Sequence, residues 1–309
     1  MLLSLNISSL MDALPGACAQ GLIWAIMAIG VYITYRVMDI ADLTVDGSLA
    51  TGGAVCLTCI VAFDQPVWLA VIMGTLAGAL CGLVTGILHT VMGIPPILAG
   101  ILTQISLYSI NLKILNSRSN ASMGIRNDLL VTARNINKSL IVLGIVVLVV
   151  VVILYWFFGT EKGSSMRATG CNESMAKAQG INTNVNKIIG LMLSNALVGL
   201  AGAMLTQYQG FADINMGRGA IVIGLAAVII GEAVFGRIFK NFAWQLVSVA
   251  LGAIVYYIVL QFVIWLEIDT DLLKVLQAAV VAVFLAFPYW KKRYFTKVKT
   301  NSSKQGGEQ

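Results

Sequence analysis

Between Leu140 and Gly159 the chain reads LIVLGIVVLVVVVILYWFFG, with no charged side chain. A run of this length matches a bilayer core of about 30 Å, which takes roughly 20 helical residues to cross. In lipid every backbone N–H and C=O must be paired within the segment or within a closed barrel. Barrel strands would be shorter and would alternate in polarity. The run is therefore read as a membrane helix. Eight further apolar segments stand at about 14–35, 45–63, 67–90, 96–112, 188–209, 219–235, 243–266 and 271–288. Of the 309 residues 58% are hydrophobic and 11% charged, with a mean hydropathy of +0.87. Soluble domains carry about 25% charged residues, so there is too little polar surface here for a water-soluble fold. The expectation is an all-α polytopic membrane protein of about nine transmembrane helices, roughly eight to ten. Its 30 glycines suit close helix packing.

Charge placement gives the orientation. The excess of +6 lies almost wholly in the tail, where Lys291, Lys292, Arg293, Lys297, Lys299 and Lys304 face only Glu308. A basic cluster directly after an apolar run marks a cytoplasmic flank, not a nucleic-acid site. Residues 1–289 then form one membrane domain and 290–309 a basic cytoplasmic tail. Counting back places Glu267–Asp271 outside, Gly236–Phe242 inside, Gly210–Arg218 outside, Arg36 inside and the N-terminus outside. Asn116–Lys138 falls outside despite Arg118, Arg126, Arg134 and Lys138. A re-entrant segment would change this parity, and 45–63 and 219–235, with their Gly-rich polar starts, are the two suspects. Ala41–Leu57 (ADLTVDGSLATGGAVCL) also resembles Ala212–Ile229 (ADINMGRGAIVIGLAAVI). That is a weak sign of a repeated half, with broken helices at corresponding places.

Three stretches put polar groups beside or inside these segments. Asp39, Asp42, Asp46 and Ser48 cluster before the second segment, where Asp46 suits a helix start. Pro95 and Pro96 open the fourth, in which Thr103, Gln104, Ser106, Tyr108 and Asn111 follow. Gln104, Tyr108 and Asn111 recur at helical spacing and share one face. That face either lines a water-filled path or bonds to another helix. Glu232 is read as pairing with Arg237 at the inner interface.

No residue pattern supports catalysis. There is no G-x-x-x-x-G-K-[ST] phosphate loop, no metal-ligand spacing, and a single histidine, His89. Cys56 and Cys59 form C-x-x-C without a second pair, and are read as small buried residues of a membrane helix. No cofactor and no metal are expected. Energy for transport would have to arrive from another protein. The longest polar interruption, Thr160–Lys187, offers a place for it: a cytoplasmic loop holding a short helix.

Within that loop, Arg167-Ala168-Thr169-Gly170-Cys171-Asn172-Glu173-Ser174-Met175-Ala176-Lys177-Ala178-Gln179-Gly180-Ile181 resembles the cytoplasmic coupling segment of ABC-importer permeases of the branched-chain amino acid and ribose type. Ser194–Met204 resembles the small-residue helix that follows in that family. Asp42–Gly53 and Gly93–Thr103 resemble two further stretches, so the likeness spreads over about 36–235. Within the family it looks closest to permeases labelled for tryptophan or tyrosine. Met175 stands where the family commonly has Ala, and Glu232 replaces the second of two glycines. The resemblance implies a non-catalytic permease subunit in the bacterial cytoplasmic membrane, importing a small hydrophilic solute, most plausibly an amino acid. It implies partner ATPase subunits, a second permease (a homodimer, or a pairing with a close relative), and an extracytoplasmic binding protein. Arg167, Ala168, Thr169, Gly170, Asn172, Glu173, Ala176, Lys177, Gly180 and Ile181 would couple to the ATPase. Asp42, Asp46, Ser48, Pro95, Pro96, Thr103, Gln104, Tyr108 and Asn111 are candidates for the translocation path. The alternative is an ion-coupled secondary transporter without an ATPase.

Overall fold

The computed structural model describes residues 7–124, 129–236, 241–266 and 273–290. The chain is an all-α polytopic membrane protein. Among the described residues nine apolar helices overlap these segments: α1 (Ile7–Tyr32, extended by a π turn Ile33–Val37), α2 (Val45–Val61), α3 (Val67–Thr90), α4 (Pro96–Ile114), α5 (Ile136–Gly159), α8 (Thr183–Gln209), α9 (Ala220–Phe235), α10 (Phe242–Trp265) and α11 (Leu273–Trp290). Two polar helices, α6 (Glu161–Cys171) and α7 (Glu173–Ala178), lie between α5 and α8. Among the described residues six helices are long and apolar enough to cross a membrane, and α2 and α9 are shorter.

Small residues set how the bundle packs. Gly74, Gly78, Gly82 and Gly86 recur every fourth residue and line one face of α3. That face runs antiparallel along α8, against Ala203, Asn195, Leu191 and Ile188 in turn. A Cβ on Gly78 would stand 2.9 Å from the Cα of Gly199, so only glycine allows this approach. α8 is buried along most of its length. α5 instead presents Ile141, Ile145, Leu148, Val152 and Trp156 outward, as a lipid-facing helix does.

The two halves repeat one pattern. α2 lies parallel to α8 and antiparallel to α3, through Ser48–Asn195, Gly52–Gly199 and Gly74–Gly52. Likewise α9 lies parallel to α1 and antiparallel to α10, through Gly224–Met27, Glu232–Arg36 and Gly231–Ser248. α3 packs on α8 as α10 packs on α1. α1 and α8 meet at the centre, where Ser194 Oγ donates to the Gly30 carbonyl at 2.8 Å. α1 ends and α8 begins beside α6 and α7, so the halves are inverted.

The Ala-Asp likeness does not align this repeat residue by residue. α2 starts three residues after Asp42, whereas α9 starts seven residues after Asp213. Asp42 is buried, whereas Asp213 sits in a surface strand. α2 and α9 are shorter helices, of 17 and 16 residues. Each is entered by a non-helical stretch (Met38–Thr44 and Ile214–Gly219), starts in the middle of the bundle and runs to one end. Short polar openings rich in small residues are the sequence sign of such short, interrupted helices.

Three local expectations are amended. The Thr160–Lys187 loop holds two helices, and α8 begins earlier, at Thr183, because Asn182 caps it by accepting from Val185 N at 3.2 Å. A two-stranded antiparallel ribbon, β1 (Asn120–Ser122) with β2 (Phe211–Asp213), joins the two loops at the end of the bundle opposite α6 and α7. Asp46 does not cap its own helix, as described next. Arg126, Arg237, Glu267–Asp271 and the basic tail lie outside the described residues.

Candidate functional site: a polar junction, a cavity and a seated helix pair

After the π turn the chain runs unwound into the bundle, with Asp39 in the left-handed region at φ 53°. Backbone groups freed by unwinding inside a membrane protein need partners, and side chains supply them. Asp42 Oδ1 accepts from Thr44 N at 2.9 Å, and its Oδ2 accepts from Asn195 Nδ2 at 2.6 Å. Asn195 Oδ1 accepts in turn from Ser48 Oγ at 2.6 Å. The Thr44 hydroxyl lies 2.7 Å from that of Thr85, which donates to Thr103 Oγ1 at 2.9 Å. This network ties α2, α3, α4 and α8 together. All its members are buried, Asp42 at 2% exposure and Asn195 at 0%. Of the sequence candidates, Asp42, Ser48 and Thr103 thus belong to an internal clamp. Pro95 and Pro96 occupy the start of α4, where Pro96 needs no N–H partner.

Asp46 joins the two halves. Its Oδ2 accepts from Gly219 N at 2.9 Å and its Oδ1 from Ile221 N at 3.0 Å. One carboxylate on the first turn of α2 therefore caps the first turn of α9. A cavity of about 400 Å³ opens beside it. Its lining includes Asp46, Gln104, Tyr108, Asn111 and Arg218. The shared face expected for Gln104, Tyr108 and Asn111 is thus the cavity wall on α4. Asn111 is 1% exposed, and its Oδ1 has no hydrogen-bond partner among the described residues.

The third site is the helix pair α6–α7. Thr160 caps α6 by accepting from Gly163 N at 3.3 Å, and Asn172 caps α7 by accepting from Met175 N at 3.0 Å. Arg167 Nη2 donates to the Phe158 carbonyl at 2.9 Å, and the guanidinium stands 5.9 Å from the Phe242 ring centre. Gly170 packs on the Val37–Met38 backbone at the end of α1. Thr169 Oγ1 accepts from Asn186 Nδ2 of α8 at 2.9 Å. Glu173 binds Lys187 of α8 at 2.8 Å and Lys177 at 2.9 Å. The hydrogen bonds from Lys187 and then Lys177 hold the Glu173 carboxyl down at about 2. Gly180, at φ 80°, ends the turn, and Ile181 N donates to the buried Ala176 at 3.1 Å. Ala168 is half-buried. Most of the motif therefore seats the pair on α1, α5 and α8. Met175, 60% exposed, and Lys177 face away from the bundle.

At the same end Arg36 Nε donates to Glu232 Oε1 at 2.9 Å, so Glu232 pairs across to α1. Cys56 and Cys59 lie on α2 as free thiols. Sequence reasoning missed Asn195, Thr44, Thr85 and Arg218. Asn195 carried a legible signal, an amide inside the charge-free apolar run 188–209. The other three carried none.

Inverted halves with half-helices meeting at mid-bundle define the class: a membrane permease of the transporter type. The chain belongs to the family described as branched-chain amino acid transport system / permease component, whose model matches residues 15–285. It is 37% identical over 277 residues to the tyrosine transport system permease protein of Clostridioides difficile (strain R20291), covering 89% of this chain and 91% of that one. It is 27% identical to the ribose import permease protein RbsC of Escherichia coli (strain K12), over 75% of this chain and 71% of that one. It is 26% identical to the guanosine ABC transporter permease protein NupP of Bacillus subtilis (strain 168), over 62% and 59%. As a permease component, the chain is a transport subunit and not itself the catalytic one.

Proposed function

We propose that this chain is the membrane-spanning subunit of an ABC importer and carries an amino acid across the bacterial cytoplasmic membrane. The observation that carries this reading is the seating of α6–α7. A partner ATPase docks on the outward face of α7, at Met175 and Lys177. Its push reaches α8 through Glu173–Lys187 and Thr169–Asn186, and reaches α1 through Gly170 on Val37–Met38. From there it enters the unwound Met38–Thr44 stretch and, through Asp42–Asn195, the base of α2. Rigid seats with few soft contacts suit a part that must transmit force.

The end with α6 and α7 is cytoplasmic. The β1–β2 ribbon end is extracytoplasmic and receives a binding protein that delivers the solute. Two permease copies, as a homodimer, complete the path. An amino-acid cargo draws on the similarity to the tyrosine permease, while the ribose and guanosine relatives mark the alternatives. The test is uptake of labelled tyrosine into proteoliposomes holding permease, ATPase and binding protein. Accumulation that requires ATP supports the reading. Accumulation driven by an ion gradient without the ATPase overturns it.

A further inference from the structure

We infer that the cavity between α2, α4 and the Ile214–Gly219 turn is a reception site for an α-amino acid, with Arg218 taking its carboxylate. This rests on the amino-acid reading above and adds a residue that neither the motif nor the family likeness pointed to. Arg218 lines the cavity, and its guanidinium has no ion-pair partner among the described residues. Asp46 lines the same cavity but is engaged with Gly219 and Ile221, without an ion pair to Arg218. Arg218 is exposed, and a guanidinium without an ion-pair partner offers its planar fork of donors to a carboxylate.

The remaining lining narrows the class. A carboxylate has about four lone-pair sites, so Asp46 keeps acceptor capacity toward a ligand ammonium. Asn111 Oδ1, buried and without a partner among the described residues, is a second acceptor for it. One positive and one negative side chain in a single cavity suit a zwitterion and disfavour a polyanion or a neutral sugar. Tyr108, with Ile105 and Ile214, gives an aromatic and apolar wall for the ligand side chain. The volume of about 400 Å³ lies in the range of small-molecule sites, which begin at about 300 Å³.

The experiment uses the complete assembly in liposomes, with labelled tyrosine and labelled ribose as probes. Arg218→Gln should cut tyrosine uptake by about tenfold or more, the scale of a lost charged hydrogen bond. Arg218→Lys should keep an intermediate rate. ATPase stimulation by the loaded binding protein should stay within about twofold in both, because the coupling end is untouched. Wild-type-like tyrosine uptake by Arg218→Gln overturns the site. If Arg218→Gln fails to assemble, Asn111→Leu carries the same test: a tenfold fall supports the site and unchanged uptake overturns it. Wild-type assembly that imports ribose and not tyrosine overturns the amino-acid reading itself, and the site with it.

Discussion

Asp46 and Gly219 lie 173 positions apart in sequence, yet the carboxylate of one accepts from the backbone N–H of the other at 2.9 Å. This bond, with its companion to Ile221, fixes the start of one half-helix on the start of the other. Asp46→Ala removes both acceptors and should lower the stability of the solubilised protein by about 1–2 kcal/mol, the scale of a lost helix cap. Asp46→Asn keeps one acceptor and should lose less. Thermal unfolding followed by tryptophan fluorescence would measure both. Equal stability of Asp46→Ala and wild type would mean that the α2–α9 contact stands without its cap.

Asn195 is the hub of the buried network, holding Asp42 and Ser48 at 2.6 Å each. Asn195→Leu leaves Oδ2 of the buried Asp42 without its donor, at a cost of about 2–3 kcal/mol. Ser48→Ala removes only a neutral donor that also bonds to the Thr44 carbonyl, and should cost about 1 kcal/mol. Unfolding midpoints of the two variants should therefore rank clearly. The reverse order would move the hub away from Asn195.

Gly78 and Gly144 make a matched pair of substitutions. A methyl on Gly78 meets the α8 backbone, whereas one on Gly144 meets nothing within 4 Å. Gly78→Ala should destabilise by about 1–3 kcal/mol as the helices are forced apart. Gly144→Ala should leave the midpoint unchanged or slightly raised. Loss of stability in both would point to glycine flexibility in place of close packing.

Glu173 supplies a pH dependence of defined sign. Its carboxyl is held at about 2 instead of the ordinary 4.5, by Lys187 first and Lys177 second. A group depressed in the folded state stabilises fully above its unfolded value. The contribution is then lost as the pH falls from about 4.5 toward 2. Pepsin cleavage within α6–α7 should rise over that window in the wild type. In Glu173→Gln cleavage should already be high at its upper end and change little. Parallel curves for the two proteins would remove Glu173 from the account.

The apolar helices were legible because a span is set by local composition: Leu140–Gly159 needs no partner to be recognised. The cavity face was legible for the same reason, since Gln104, Tyr108 and Asn111 follow helical spacing alone. What escaped depends on distance in sequence. Asp46 was read as a helix-start residue, correctly in chemistry, but nothing near it names α9 as the helix it caps. Three-residue strands such as Asn120–Ser122 are too short to show an alternating pattern. In the loop motif, sequence marks which residues are special but not which way they point. Arg167, Gly170 and Glu173 turn inward to seat the helices, and the outward residue Met175 is a departure from the family pattern.

The central claim is that α7 receives the ATPase. A photo-reactive amino acid in place of Met175, in the assembled transporter, tests it directly, with one at Asn120 on the opposite end as the control. The account predicts an ATPase adduct from position 175 and none from position 120. An active assembly whose ATPase is captured from position 120, or from neither position, would contradict it.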